Sequence, residues 1–356
     1  MPTFVRAKDL VRFGTDVLES TGVPGPDANL VSDSLVTAEL WGHSSHGMLR
    51  LPWYVERLRT GAMAAATASE IAIDHGAVVV LDGRHGIGQV LTHQAVEIGV
   101  ERACAHGVSA VGVRNSNHFG TAAYFTREAA KAGCVTFLAT NASPAMAPWG
   151  GRVKTIGTNP WSMAAPAGKY GVAVADVANT AVARGKIYLA AERGVDIPDN
   201  WATDEKGVPT TSADDAIHGL ILPMGGHKGY VISFMMDVLA GVLTGSQFGS
   251  NVAGPYQPDR VAGCGHLLMT IDIESMMPRA EFEKRLEALI TEVKSVPKAD
   301  GVDEIFFPGE LEDRNAARHS EHGISIADRT WIGLGKLGAV THTPVPATIG
   351  GTCVSR

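Results

Sequence analysis

Apolar residues recur at helical spacing from Ala7 to Leu18, and Gly22-Val23-Pro24-Gly25-Pro26 then breaks the chain. A second helix is predicted from Pro26, a tolerated first-turn position, to Trp41. Ser45 is placed to cap a third helix that carries Leu49, Leu51, Tyr54, Val55 and Leu58 and ends near Gly61. From Ile71 the pattern changes to short β-branched runs: Val78–Leu81, Ser109–Val113, Val135–Leu138, Val172–Ala175 and His266–Ile273. Helical stretches such as Val90–Ala105 and Ala122–Ala132 lie between several of them, which predicts an α/β core around a mixed sheet. Near the end, Glu281–Val293 sets Phe282, Leu286, Leu289, Ile290 and Val293 on one helical face. The expected division is a helical segment over 1–70, an α/β core over 71–280, C-terminal helices over 281–337 and an extended tail over 338–356.

Composition narrows the class. The 356 residues suffice for a large core, and 45% hydrophobic with 19% charged residues is a globular balance. A formal net charge of −7 argues against a nucleic-acid or anionic-membrane partner. The opening MPTFVRAKDLVRF has no apolar signal core, and the longest apolar run, Tyr230 to Leu243, contains Asp237. Cys104, Cys134, Cys264 and Cys353 stand far apart with no CxxC pair, which fits free thiols in a reducing compartment. The expectation is a cytoplasmic protein with a small-molecule partner.

Two segments imitate a dinucleotide fingerprint. Gly333-Leu334-Gly335-Lys336-Leu337-Gly338 matches GxGxxG, but the chain beyond it holds Pro344 and Pro346 rather than the rest of a βαβ unit. It reads better as a helix C-terminus. Val78–Asp82 with the turn Gly83–Gly88 looks like strand, turn and helix, yet it lacks the third glycine. No acidic residue stands about twenty positions beyond it to hold a ribose.

Polar chemistry gathers elsewhere. In Gly42–Arg50, His46 and Arg50 share a helical face if Ser45 is a cap. Arg50 then offers a carboxylate fork and His46 a proton exchanger. The bland alternative is a polar helix start; a metal reading of His43 with His46 lacks a nearby carboxylate. Arg114–Gly120 leaves the strand ending at Val113, so His118 is either a general base at a strand exit or an ordinary loop histidine. Thr140 to Pro160 is rich in small residues and either approaches a ligand or makes tight turns. Asp176 either accepts from a ribose hydroxyl or caps the next segment. Met224–Gly229 opens an apolar helix with a lysine, a possible phosphate cradle, and Pro308-Gly309-Glu310 means little alone.

Together these segments resemble the malate/L-lactate dehydrogenase family that also contains sulfolactate, ureidoglycolate and 2,3-diketogulonate enzymes. The match is carried by Ser45-His46-Gly47 with Arg50, Asn117-His118-Phe119-Gly120, Ala147-Pro148-Trp149-Gly150-Gly151, Gly157-Thr158-Asn159-Pro160, Gly226-His227-Lys228-Gly229 and Pro308-Gly309-Glu310, in family order. The resemblance implies a non-Rossmann, mixed-sheet nucleotide-binding domain packed with a helical domain made from N- and C-terminal segments, and a homodimer. It implies proton transfer by His46 and His118, and substrate binding by Ser45, Arg50 and Asn141. It implies NAD(P) contacts from Asp176, Val177, Ala178, His227, Lys228, Gly309 and Glu310, with no metal. Two stretches depart from the family: Gly42-His43-Ser44 lacks the acidic residue many relatives carry before the serine, and Asn141-Ala142-Ser143 is not the common version.

The expected activity is therefore hydride transfer between NAD(P) and the α-carbon of a small 2-hydroxy or 2-keto acid such as malate or lactate. Asp176 favours NAD slightly, whereas Arg184 and Lys186 would suit a 2′-phosphate. The alternatives are a reductase of a cyclic imine or diketo acid, a metal-dependent lyase or hydrolase, and a non-catalytic metabolite-binding protein.

Overall fold

The computed structural model describes residues 3–183, 186–187, 190–191 and 194–349; Arg184 and Cys353 lie outside the described residues. The chain opens with β1 (Thr3–Val5), α1 (Ala7–Glu19) and α2 (Gly25–Trp41). Leu10, Phe13, Val17 and Leu18 of α1, the residues of the expected apolar spacing, are buried in one core with Val31 and Leu35 of α2. Gly42, at φ 86°, ends α2 in the left-handed conformation that glycine adopts without strain. Two 3₁₀ turns come next, Ser44–His46 and Met48–Arg50, before α3 (Leu51–Thr60). The expected cap is corrected by this geometry. No side chain caps α3, and the Ser45 hydroxyl bonds His46 Nδ1 at 2.9 Å instead. His46 and Arg50 thus lie on consecutive tight turns and not on one α-helical face.

The α/β part runs β2 (Glu70–Asp74), β3 (Val78–Asp82), α4 (Gly88–His106), β4 (Val108–Ser116), α5 (Ala122–Lys131), β5 (Cys134–Thr140), β6 (Trp161–Pro166) and β7 (Val172–Val177). Then come β8 (Ala202–Thr203), α6 (Ala213–His218), β9 (Leu220–Ile221), α7 (His227–Asp237), a π turn at Val238–Val242, and β10 (Cys264–Asp272). The seven-stranded sheet has the order β2-β3-β4-β10-β5-β6-β7. Within it β3 and β4 are parallel, and the other neighbours are antiparallel.

The late strand β10 inserts between β4 and β5. Because it is antiparallel to both, its start meets their ends: Cys264 pairs with Ser116, and His266 with Thr140. A register shift between Cys264 and His266 breaks the ladder where these strand ends converge.

The chain closes with α8 (Arg279–Ser295), α9 (Glu310–His322), β11 (Ile324–Ile326), α10 (Asp328–Thr341) and β12 (Thr348–Ile349). β11, β1 and β12 form a small antiparallel sheet. Ile324, Ile326, Leu334 and Leu337 join α1, α2 and α3 in one core, so the two chain ends build a common lobe.

The boundaries expected at this end need correcting. α8 does not pack there: Ile290 and Leu286 lie with Ala167, Tyr170 and Phe307 beside the large sheet, while Leu289 is 55% exposed. The extended tail begins later than expected, since α10 runs on to Thr341 and contains the whole Gly333–Gly338 decoy as helix. Part of it is strand, because β12 pairs with β1.

Leu35 is fully buried between α1 and α2 in this lobe. Leu35→Ala is expected to cost about 2–5 kcal/mol in urea unfolding. A loss below about 1 kcal/mol would contradict the packing described.

Candidate active site

β4 delivers the polar loop Asn117–Gly120 to the strand-end junction, and the two 3₁₀ turns after α2 deliver His46 and Arg50 to the same place. The His46 and His118 rings stack with centroids 5.7 Å apart and planes 16° from parallel. Arg50 donates Nε–H to Ser45 O at 2.7 Å and lies 4.5 Å over the Trp53 ring. The sequence-predicted His46, His118, Ser45 and Arg50 are therefore brought together.

Several residues that the sequence did not single out complete this cluster. Tyr54, four residues after Arg50, puts its hydroxyl 2.7 Å from His118 Nδ1. Arg57, three residues further, is 1% exposed and donates to Asn117 Oδ1 at 3.0 Å, Gln257 O at 2.6 Å and Gly254 O at 3.4 Å. The spacing of Arg50, Tyr54 and Arg57 along one helical face was a usable signal. Neither Arg50 nor Arg57 has a carboxylate partner among the described residues.

Beneath the 3₁₀ turns, buried Glu39 accepts from Met48 N–H at 2.9 Å. Burial pushes its pKa up to about 7, against hydrogen bonds from Ser44 and Met48. A Cβ on Gly47 would stand 2.2 Å from this carboxylate, so glycine is required where the turns cross it.

His266 joins the three strand ends, with Nε2 2.7 Å from Ser116 Oγ and Nδ1 2.8 Å from Thr140 Oγ1. Phe119 packs edge-on against it at 4.7 Å. Only pairing across the sheet reveals its place; nothing local to its strand marks it.

The site holds its histidines neutral. Burial, then Arg50, His46, His266 and Arg57, depresses the His118 pKa well below the usual imidazole value. Burial, Arg50 and His43 push His46 down to about 3, and burial brings His266 to about 3. A desolvated imidazolium at His46 or His118 would also sit near the Arg50 cation with no anion to balance it.

Asn141, just past β5, is buried and committed to the framework. Its Nδ2 donates to Asp237 Oδ1 at 3.0 Å and Gln247 O at 2.7 Å, and its Oδ1 accepts from Gly265 N–H at 2.9 Å.

A separate cavity of about 390 Å³ opens between β7, the start of α5 and the loop before α9. Asp176, Val177 and Gly309 line it, together with Trp41, His43 and Glu312. Asp176 Oδ2 accepts from Ala123 N–H at 2.9 Å, and burial raises its pKa against that bond. Gly309 sits at φ 95°, and a Cβ there would come 2.6 Å from Val174 Cγ1. Glu312, paired with His43 at 3.4 Å, went unnoticed in the sequence.

Glu310 is engaged elsewhere. Its carboxylate takes Lys294 Nζ at 2.6 Å and Arg314 at 2.7 Å; against its burial, these bonds hold its pKa low. Ala178 is exposed just beyond the cavity, while His227 and Lys228 are exposed at the start of α7 and do not line it. The turn before α7 is nevertheless tied to the segment after β7, since Met224 N–H donates to Asn179 O at 2.9 Å.

The chain belongs to the malate/L-lactate dehydrogenase family, whose model matches residues 5–334. It is 38% identical over 325 residues to the L-sulfolactate dehydrogenase of Methanothermobacter thermautotrophicus, covering 91% of this chain and 93% of that one. It is 36% identical over 273 residues to the (2R)-3-sulfolactate dehydrogenase (NADP(+)) of Chromohalobacter salexigens, covering 76% and 82%. The solved sulfolactate dehydrogenase of Methanocaldococcus jannaschii superposes with a TM-score of 0.91 at 34% identity, covering 96% of this chain and 98% of that one.

The buried neutral histidines have a measurable consequence. Once unfolded, His266 takes a proton at about pH 6.5, which the folded chain refuses until about pH 3; stability is therefore lost as pH falls through that window. In His266→Gln the slope of stability against pH is expected to be shallower there by about 1.4 kcal/mol per pH unit. Equal slopes in urea titrations of the two proteins would contradict the assignment.

Proposed function

We propose that the protein is an NAD(P)-dependent dehydrogenase that interconverts a small 2-hydroxy acid and its 2-keto acid. The observation that carries this reading is the pair of guanidinium groups, Arg50 and Arg57, lying without carboxylate partners beside the stacked His46 and His118. Such a field is complementary to a small carboxylate bearing an oxygen that must gain or lose a proton.

In this reading Arg50 grips the substrate carboxylate, and Ser45 holds the Arg50 and His46 side chains through its carbonyl and hydroxyl. His118 exchanges a proton with the substrate oxygen through Nε2, since Nδ1 is engaged by Tyr54. His46, stacked on it, is the other candidate for that exchange. Asn141 contributes by fixing the backbone of Gly265 beside His266.

The 390 Å³ cavity suits the adenosine end of a nicotinamide nucleotide: apolar walls from Trp41 and Val177, and carboxylates from Asp176 and Glu312. Val177, Ala178, Gly309 and Glu310 flank it in the chain, and His227-Lys228 at the α7 N-terminus suits a phosphate. The bound nicotinamide supplies or accepts the hydride. Asp176 and Glu312 favour NAD over NADP, because Arg127, the cation lining the cavity, is spent on Asp313 at 2.8 Å. Lys186 is exposed and remains a counter-argument, as does the relative named for NADP(+).

The reading extends to the assembly. A nucleotide domain over 71–280 outside the Rossmann type accords with a sheet in which only β3 and β4 run parallel among the pairs described. A homodimer accords with Phe234 and Met235 on α7 and Leu243 beyond it, the last 65% exposed. A cytoplasmic location accords with the unpaired Cys104, Cys134 and Cys264. A cyclic imine would use the same groups. A metal-dependent lyase would have to seat a cation against two guanidiniums.

Absorbance at the reduced-nicotinamide band, with NADH or NADPH and a panel of 2-keto acids and cyclic imines, tests the proposal. Consumption with a 2-keto acid is expected, and no nucleotide binding at all would overturn the reading. His118→Ala is expected to lower kcat by about 10²–10⁴-fold. Arg50→Lys is expected to raise KM, since a point charge replaces a bidentate fork.

A further inference from the structure

The turn Gly83–Gly88, a nucleotide decoy in the sequence, is built onto the His118 loop. Gly83 N–H donates to Arg114 O and His85 N–H to Asn115 O, both at 2.8 Å. Asn117 Nδ2 donates back to His85 O at 2.9 Å and Gly86 O at 2.8 Å. At Gly88 a Cβ would lie 2.3 Å from Asn117 O and 2.6 Å from His118 O. The glycine here admits the His118 backbone, as a fingerprint glycine would admit a pyrophosphate.

The next residue, Gln89, is fully buried. Its Nε2 donates to Tyr54 Oη at 3.2 Å, and Tyr54 Oη lies 2.7 Å from His118 Nδ1. Gly120 N–H also points at Nδ1, at 3.3 Å. Gln89 Oε1 is buried with no hydrogen-bond partner.

Direction matters in such a chain. With Gln89 N–H donating to Tyr54, the phenol proton goes to Nδ1, and the neutral imidazole carries its own proton on Nε2. When His118 is protonated, Nδ1–H must donate to Tyr54, and the phenol proton needs another acceptor. Rotation of the Gln89 amide supplies one, its otherwise orphaned Oε1. The imidazolium can then release its Nε2 proton to a substrate oxygen and remain neutral as the Nδ1–H form, and the reverse step returns that proton.

We propose that Gln89 is a positioning residue that sets, through Tyr54, which ring nitrogen of His118 carries the proton, with Oε1 as the acceptor used when the chain reverses. This rests on the reading of His118 as the proton-transfer group. The ring is also faced by His46 and Arg50 from the 3₁₀ turns, Arg57 from α3 and His266 from β10. Substitutions at Gln89 leave all of these in place.

The test combines ¹⁵N-histidine NMR of the unliganded protein with pH profiles of kcat for keto-acid reduction. The wild type is expected to hold His118 as the Nε2–H tautomer. Gln89→Glu, an acceptor only, is expected to switch it to Nδ1–H and move the alkaline limb of kcat upward by about one pH unit. Gln89→Leu is expected to keep the Nε2–H tautomer and move that limb down by about as much, with KM little changed; it also serves if the glutamate variant does not fold. Unchanged tautomer and pH profile in the variants, with His118→Ala inactive, would overturn the role of Gln89. Full activity in His118→Ala would overturn the reading of His118 instead, and the tautomer measurement would still decide whether Gln89 governs the ring.

Discussion

Arg57 is a guanidinium sealed inside the protein with neutral oxygens as its hydrogen-bond partners. Two backbone carbonyls and the Asn117 amide oxygen accept from it but do not cancel its charge. A buried cation in this condition ordinarily costs several kcal/mol. Arg127, the other buried guanidinium among the described residues, is paired with Asp313. The site thus keeps positive charge in reserve, with Arg57 fully buried and Arg50 half-buried. Burial first, and then that surplus, depresses His46 and His118, which leaves an anion as the natural missing partner. A 2-hydroxy acid brings both the carboxylate that balances the charge and the oxygen that the neutral imidazole serves.

The sheet makes this arrangement possible. Placing a late strand between β4 and β5 gathers the ends of two strands and the start of a third at one point, where His266 ties Ser116 to Thr140. The lobe built from both chain ends then lowers α3 and the 3₁₀ turns over that point. The His46–His118 cluster therefore lies at a seam between lobes, while the 390 Å³ cavity opens across β7 and the loop before α9.

Much of this was legible in the chain. α1, α2, α4, α5 and strands β3, β4, β5, β7 and β10 lie where the sequence predicts them. β6 escaped because it lies between two prolines, following Pro160 and ending at Pro166, and alternates weakly, and β1, β8, β9, β11 and β12 are too short to show a period. Ser45 met the composition rule for a cap, but its hydroxyl had a better local partner in His46. His46, His118 and Arg50 stood out as members of the polar clusters Gly42–Arg50 and Arg114–Gly120. Arg57, Gln89 and His266 did not, because their meaning lies in partners tens to hundreds of residues away.

The most direct test of the electrostatic account is calorimetric titration of oxamate, a small 2-keto-acid mimic, into protein holding reduced nucleotide near pH 7. Two buffers of different ionisation heat separate binding from proton uptake. The account predicts uptake approaching about one proton, as the carboxylate relieves the cationic field on the histidines. It also predicts loss of both affinity and uptake in Arg50→Ala. Binding without proton uptake, or with equal strength in the variant, would contradict it.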